Sequence, residues 1–476
     1  MIFEKKERKM KKKTVSLVLA AIMALGALAG CGGGKTIAEQ NQEASAEAEG
    51  GSQEGDSAEM ADASEVNGTE ISFWHSMGGV NGQAIDTLVE QFNKENEYGI
   101  TVNAQYQGEY DDSLNKLKSA QIGNMGADLV QVYEIGTRFM IDSGWIIPMQ
   151  EMVDADGYDV SQIEPNLAAY YTIDDKLYSM PFNSSTPIMY YNKDMFDKAG
   201  ITEIPESLEG IEAIGDKLLN EGGAGEVMSM SIYGWFFEQL IGKQGLEYAN
   251  NGNGRTDAAT AVAFDENGAA ENILTAWKSL NDKGYAPVVG KGGDAGLADF
   301  SAGKSAITLG STASLKQILQ DVNGKFEVGT AYFPKIKDSD EGGVSIGGAS
   351  LWALNNEDPK KLRATWEFVK FLISPESQAY WNTQTGYFPV TTAAQEEQVF
   401  KDNLAQYPQF QTAIDQLHDS APEYVGALLS VFPEARATVE SEIESLLNGK
   451  QSVEDTVTNM ADSINESIEE YNLVNE

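Results

Sequence analysis

Cysteine is almost absent from this chain: Cys31 is the only one in 476 residues. A single thiol excludes an intramolecular disulfide, a cysteine-based metal site and thiol catalysis in the body of the chain. Histidine is nearly as scarce, with His75 and His418 in unrelated contexts and no metal-binding His pair. Basic charge is short as well. Lys and Arg number 33 against 73 Asp and Glu, leaving a formal charge of -40. Duplex nucleic acid is held largely through cationic contacts to phosphate, and anionic lipid attracts basic surfaces, so neither is an expected partner of the folded surface. A small anion remains compatible, because a local nest of N–H groups and one arginine can hold it inside an acidic protein.

Catalytic motifs are missing too. There is no nucleophile elbow and no Gly-rich dinucleotide fingerprint. Gly303-Lys304-Ser305 hints at a phosphate loop, but the glycine required five residues earlier is Ala298. Asp154-Ala155-Asp156-Gly157 hints at a calcium loop, but its glycine stands fourth where the sixth position is required. The expectation is no metal, no cofactor and no enzymatic activity.

What is present begins with a targeting segment. Lys5, Lys6, Arg8, Lys9, Lys11, Lys12 and Lys13 form a basic head before an apolar run at 14–27, too short for a comfortable membrane span. The run ends in Leu28-Ala29-Gly30-Cys31, which resembles the lipobox of bacterial lipoproteins. That resemblance implies a signal peptide over 1–30, lipidation of Cys31 and an extracytoplasmic, membrane-anchored protein. Residues 32–68 carry no aromatic residue, one Lys and nine acids, so residues 31–68 are expected to form a disordered acidic tether. The remaining length, with 42% hydrophobic residues overall, suits two domains.

The body starts in β-α-β-α-β order. A strand at 70–73 leads through a turn at 74–79 into a helix marked by Ile85, Leu88, Val89 and Phe92. Alternating Ile100, Val102, Ala104 and Tyr106 mark a second strand, Leu114 and Leu117 a helix, and 128–133 a third strand. This order predicts a mainly parallel sheet, with ligands beyond its carboxyl ends, at 74–79, 107–110 and Glu134. Residues 180–196 are the organising stretch: Phe182-Asn183-Ser184-Ser185 reads as a polar turn and Pro187–Tyr191 as a buried strand, stopped by Asn192 capping a helix. Residues 194–281 read as mostly helical, 300–309 as a buried strand, and 344–354 as a strand broken by Gly347-Gly348, a mark of close backbone approach. Residues 385–389 read as an exposed turn. The last hundred residues, roughly, read as helical, with Ser452 and Asp455 capping the final helix.

Several of these segments resemble the solute-binding proteins of ABC importers, and within them the sn-glycerol-3-phosphate-binding branch. The resemblance rests on Phe73-Trp74-His75-Ser76-Met77, Gln131-Val132-Tyr133-Glu134, the run from Pro181 to Pro187, Tyr190 to Asp194, Ile346 to Trp352, and Thr385-Gly386-Tyr387. It implies an α/β fold of two periplasmic-binding-protein-like lobes joined by crossing hinge segments (type II). Lobe 1 is expected over 69–182 and 307–346, and lobe 2 over 183–306 and 347–476. The implied ligand contacts are Tyr110, Glu134, Ser185, Ser311, Gly348, Tyr387 and Arg436, with Trp74, Ile232 and Trp235 lining the pocket. Arg436 suits a phosphate, while Glu134 would accept glycerol hydroxyls at the opposite end of the ligand. Taken alone, Arg436 reads as a surface arginine paired with Glu434 or Glu440, and Tyr110 and Tyr387 as ordinary buried or rim tyrosines.

One departure stands out: Ile232 occupies a position where the family commonly has tryptophan, which would open the pocket toward a larger head group. The implied function is a monomeric lipoprotein that captures glycerol 3-phosphate or a glycerophosphodiester and passes it to the permease subunits of an ABC importer. The alternative is a carbohydrate receptor of the same kind of importer.

Overall fold

A computed structural model describes residues 58–475 apart from 124–125 and 422–423. The signal segment, Cys31 and the tether up to residue 57 lie outside the described residues. The end of the expected tether is not free chain. Val66 is fully buried, and the Ala61 N–H donates to the Pro359 carbonyl at 3.0 Å. These few apolar residues find a surface on the body, which the acidic composition of the whole segment concealed.

The first sheet has the strand order Thr101–Tyr106, Glu70–His75, Leu129–Tyr133, Gly347–Leu354 and Ile146–Ile147, with Met180–Ser185 also paired to Gly347–Leu354. The first three strands are parallel, as the β-α-β-α-β order predicts. The helix Gly79–Glu95 buries Ala84, Ile85, Leu88, Val89 and Phe92 on one stripe. Phe92 and Phe73 both meet Phe368 edge-on, at centroid distances of 5.0 and 5.6 Å.

The second sheet has the order Val328–Tyr332, Pro187–Asn192, Ser305–Ser311, Glu226–Ser229. Its pairings correct the expected lobe boundaries. Ser305–Ser311 runs antiparallel to Pro187–Asn192, with Ile307 opposite Tyr191, so it belongs to the second lobe. Gly347–Leu354 runs antiparallel to Leu129–Tyr133, with Ala349 opposite Tyr133, so it belongs to the first. Strand register across a hundred residues or more is set by pairing partners that no local pattern reveals. The four-residue strand Glu226–Ser229, hidden between glycine-rich turns, also interrupts the stretch expected to be helical. The helices Phe432–Leu447 and Val453–Asn475 pack on each other and on the second lobe's Gly234–Lys243 and Ala269–Asp282. The Asp455 N–H donates to Ser452 Oγ at 3.1 Å, the expected cap.

The organising stretch is a hinge rather than a turn. Met180–Ser185 is a fully buried strand of the first sheet, and Thr186 alone separates it from Pro187–Asn192 of the second. A polar Asn-Ser-Ser strand is tolerated there because its partners are built in. Gly347, Gly348 and Ala349 pair with Ser185, Ser184 and Asn183. The Ser76 N–H donates to Gln131 Oε1 at 2.8 Å, and Gln131 Nε2–H to Asn183 Oδ1 at 2.7 Å. Asn183 Nδ2–H in turn donates to the Tyr110 hydroxyl at 2.8 Å. Every polar atom of that buried amide is occupied. Asn183→Leu should therefore cost about 1–3 kcal/mol, by stranding Gln131 and Tyr110. Urea unfolding measures this, and a neutral result would show that the network is dispensable.

Two further crossings run through 333–346 and 424–431. Arg255 ties the last of them down: its Nε–H donates to the Gly426 carbonyl at 2.7 Å and its Nη1–H to the Tyr170 carbonyl at 3.2 Å. Residues 385–389 are not exposed. Tyr387 stacks on Trp381 with centroids 5.7 Å apart, and the Phe388 N–H donates to the Ser184 carbonyl at 2.7 Å. A Thr-Gly-Tyr-Phe-Pro sequence has turn chemistry, but here two aromatic rings pull it into the hinge.

Candidate functional site

Between the lobes lies a cleft of about 790 Å³. The first lobe contributes the loop after Glu70–His75, then Tyr110 at the start of its helix, and Glu134 immediately after Leu129–Tyr133. These are the carboxyl ends of the parallel strands, as expected. The hinges contribute Ser185, Gly348 and Tyr387; the second lobe adds Tyr233, Trp235, Asp294 and Ser311.

The sequence-predicted Tyr110, Glu134, Ser185, Ser311, Gly348, Tyr387 and Trp235 all line this cleft. The remaining candidates are placed differently. Arg436 is buried one layer behind the wall. Its Nη2–H donates to Glu134 Oε1 at 2.7 Å, and its Nε–H and Nη2–H donate to the two oxygens of Glu238 at 2.8 Å each. It also lies over the Tyr233 ring, 5.6 Å from the centroid. Arg436 and Glu134 therefore do not occupy opposite ends of the cleft; they are joined. Nor is Arg436 paired with Glu440, whose carboxylate accepts the Gly234 N–H at 2.9 Å.

Ile232 and Trp74 do not line the cleft. Ile232 is buried in the core, and Tyr233, the next residue, occupies the wall. Trp74 packs against the core from the strand face opposite Phe73 and His75. The departure at Ile232 therefore does not open the cavity directly.

Tyr233 and Glu238 escaped the sequence reading. Glu238 had a legible signal: it is the lone acid in the largely apolar helix Gly234–Lys243, following Trp235-Phe236-Phe237. A carboxylate on such a helix calls for a cation beside it. Burial raises the Glu238 carboxyl above its usual range, and the Arg436 charge offsets only part of that. For Arg436 burial works to lower the pKa, but the Glu238 and Glu134 carboxylates outweigh it and raise it well above its ordinary value. Burial likewise raises the Tyr110 hydroxyl, with Tyr387 beside it adding to the effect. Among the described residues, the Trp235 Nε1–H and the Ser76 hydroxyl are buried in this wall without hydrogen-bond partners.

His75 sits just before the cleft loop, with Nδ1 accepting the Met77 N–H at 3.3 Å. Burial lowers its pKa to about 4. A base whose folded pKa is depressed supports stability above its unfolded pKa and loses that support as pH falls toward the folded value. Stability should therefore fall between pH 6.5 and 4 by up to about 1.4 kcal/mol per pH unit. His75→Gln should flatten this window in acid-unfolding curves; an unchanged slope would exclude His75 as the titrating group.

The discarded motifs are structural. Lys304 bonds Asp299 and Glu226, and Asp156 is held by Arg363, Lys370 and the Trp366 N–H. Among the described residues, no three His, Cys, Asp or Glu side chains are grouped to hold a metal ion.

Comparison with known proteins bears on what this cleft is for. Residues 87–412 match the model of the family described as bacterial extracellular solute-binding protein. The chain is 34% identical over 419 residues to the sn-glycerol-3-phosphate-binding periplasmic protein UgpB of Salmonella typhimurium, covering 85% of this chain and 93% of that protein. Among solved structures, UgpB from Mycobacterium tuberculosis in complex with glycerophosphocholine matches with a TM-score of 0.72. It is 24% identical, and the match covers 86% of this chain and 100% of that one. The GacH receptor of Streptomyces glaucescens, solved unliganded and with acarbose, matches with a TM-score of 0.69 at 20% identity, over 84% and 98% of the two chains. The chain thus belongs to the bacterial extracellular solute-binding proteins, and is the extracytoplasmic substrate-binding protein of an ABC importer.

Proposed function

We propose that the protein captures sn-glycerol 3-phosphate or a glycerophosphodiester between its lobes and delivers it to the permease, as a monomer anchored through lipid on Cys31. The observation that carries this reading is that one cleft combines a carboxylate acceptor with several neutral donors. Glu134 has one oxygen held by Arg436, leaving acceptor capacity for the vicinal hydroxyls of glycerol. The same cleft is lined by neutral donors: the hydroxyls of Ser185, Ser311, Tyr110 and Tyr387, the Gly348 backbone and the unpartnered Trp235 N–H. Neutral donors can hold a phosphate without a paired cation, which frees Arg436 from the role its chemistry alone would suggest. Arg436 instead orients Glu134.

Transport follows from hinge closure. A ligand favours the closed form only through contacts made on both lobes. Glu134 and Tyr110 belong to the first lobe, Ser311 and Trp235 to the second, and Ser185 and Gly348 to the hinge strands between them.

Ser185→Ala should weaken glycerophosphate binding by roughly ten- to a hundredfold, the loss of one hydrogen bond to a charged group. Isothermal titration calorimetry measures it, and unchanged affinity would remove Ser185 from the phosphate site. The aromatic lining, with Tyr106, Tyr233 and Trp235, favours a second reading, a sugar bound on aromatic platforms. In that case Ser185→Ala would leave glycerophosphates irrelevant, and an oligosaccharide would titrate instead.

A further inference from the structure

Asp294 stands on the cleft wall without a partner among the proposed glycerophosphate contacts. It lies on the loop before the helix Leu297–Ser301, on the second-lobe wall of the cleft. Burial raises the pKa of the Tyr387 hydroxyl at the hinge, and the Asp294 charge adds to that rise. Among the described residues, its carboxylate has no hydrogen bond or salt bridge, whereas Glu134 and Glu238 are both paired to Arg436. Asp294 is exposed to the cleft, and the wall beside it withdraws enough water to raise its pKa. An unpaired carboxylate facing a ligand cleft is open to a counter-charge on the ligand.

Two observations say what that counter-charge is. The charged groups on the wall are Glu109, Glu134, Asp294 and Asp321 against Lys316. Lys316 is itself turned to an aromatic ring outside the wall, its Nζ 4.7 Å from the Tyr407 centroid. A dianionic phosphate monoester would enter a predominantly negative cleft; a zwitterion carrying its own cation would not face the same repulsion. The surroundings of Asp294 are also aromatic. A Cβ on the adjacent Gly293 would lie 3.3 Å from the Tyr233 ring, and Trp235 and Tyr387 complete the neighbouring walls.

We propose that Asp294 is the specificity-determining residue for the ligand's head group, facing the ammonium of a zwitterionic glycerophosphodiester and disfavouring the dianionic monoester. This rests on the glycerophosphate reading above. The phosphate and glycerol are held as already described, and Asp294 chooses among ligands that share them.

The test is titration calorimetry of the purified protein and its Asp294→Asn and Asp294→Glu variants with three ligands: glycerophosphocholine, glycerophosphoglycerol and glycerol 3-phosphate. The wild type should prefer glycerophosphocholine. Asp294→Asn should weaken that ligand at least tenfold while leaving the other two unchanged or tighter. Asp294→Glu, which keeps the charge, should keep the preference, and this separates a charge effect from a folding defect. If Asp294→Asn changes all three affinities equally or none, the assignment of Asp294 is wrong and the glycerophosphate reading stands. If the wild type binds none of the three, that reading falls and takes the assignment with it.

Discussion

Arg436→Ala is expected to destabilise the fold by about 3–5 kcal/mol and to abolish ligand binding, although Arg436 does not line the cleft. Removing the guanidinium leaves Glu134 and Glu238 as uncompensated carboxylates, with Glu238 inside the core of the second lobe. The cost arises from the stranded charges more than from the lost attraction. It follows that Arg436→Met combined with Glu238→Leu should recover only the share of the loss due to Glu238, because apolar groups replace that pair while Glu134 stays uncompensated. Binding should not recover, since Glu134 would still lack the donor that orients it.

The single variant should also be sensitive to pH. Glu238 already has a raised folded pKa, and without Arg436 it rises further. A carboxyl with a raised folded pKa supports stability below its unfolded pKa, and that support is lost as pH rises through the folded value. The deficit of Arg436→Ala should therefore be smaller near pH 5 than near pH 8, by denaturant unfolding at both. A pH-independent deficit would mean that Glu238 finds another partner or water.

Gly348→Ala is the second large expected effect. Gly348 has φ +90°, and an added Cβ would stand 2.0 Å from the Asn183 carbonyl oxygen. The backbone conformation alone costs about 1–3 kcal/mol for a residue with a side chain. The clash is with main chain of the neighbouring hinge strand, which cannot rotate away, so the two crossing strands must separate. We expect a loss of about 3 kcal/mol or more, and loss of binding with it. Gly347→Ala is the control. Its Cβ would meet the Trp235 ring at 2.4 Å, a side chain rather than backbone, with no positive φ to satisfy. It should cost less stability while still altering the cleft, because Trp235 must move. Equal stability losses at the two positions would contradict this assignment of strain.

The first lobe was legible because its periodicities are local. The spacing of Ile85, Leu88, Val89 and Phe92 names a helix face, and three strands in β-α-β-α-β order dictate parallel pairing. The hinge was not. Phe182-Asn183-Ser184-Ser185 has the composition of a turn, and its strand conformation depends on Gly347–Ala349 and Gln131, which are distant in sequence. The same distance effect placed residues 307–311 of Ser305–Ser311, and all of Gly347–Leu354, in the wrong lobes. Most of the cleft residues were reached through resemblance in short motifs, since a tyrosine or serine alone carries no positional signal. Resemblance brought Arg436 forward as a phosphate ligand; its pairing with Glu238, behind the cleft wall, could be seen only once Gly234–Lys243 was folded against Phe432–Leu447.

The cleft is expected to take a glycerophosphate-type ligand. The most direct measurement is the thermal unfolding midpoint of the purified protein, alone and with glycerol 3-phosphate, glycerophosphocholine, maltose or inorganic phosphate. A ligand at a thousand times its dissociation constant adds roughly 4 kcal/mol to the folded state, enough for a visible shift. A shift with glycerol 3-phosphate or glycerophosphocholine, and none with maltose, is the predicted result. A shift with maltose alone would contradict it, leaving a sugar receptor built on the same two lobes.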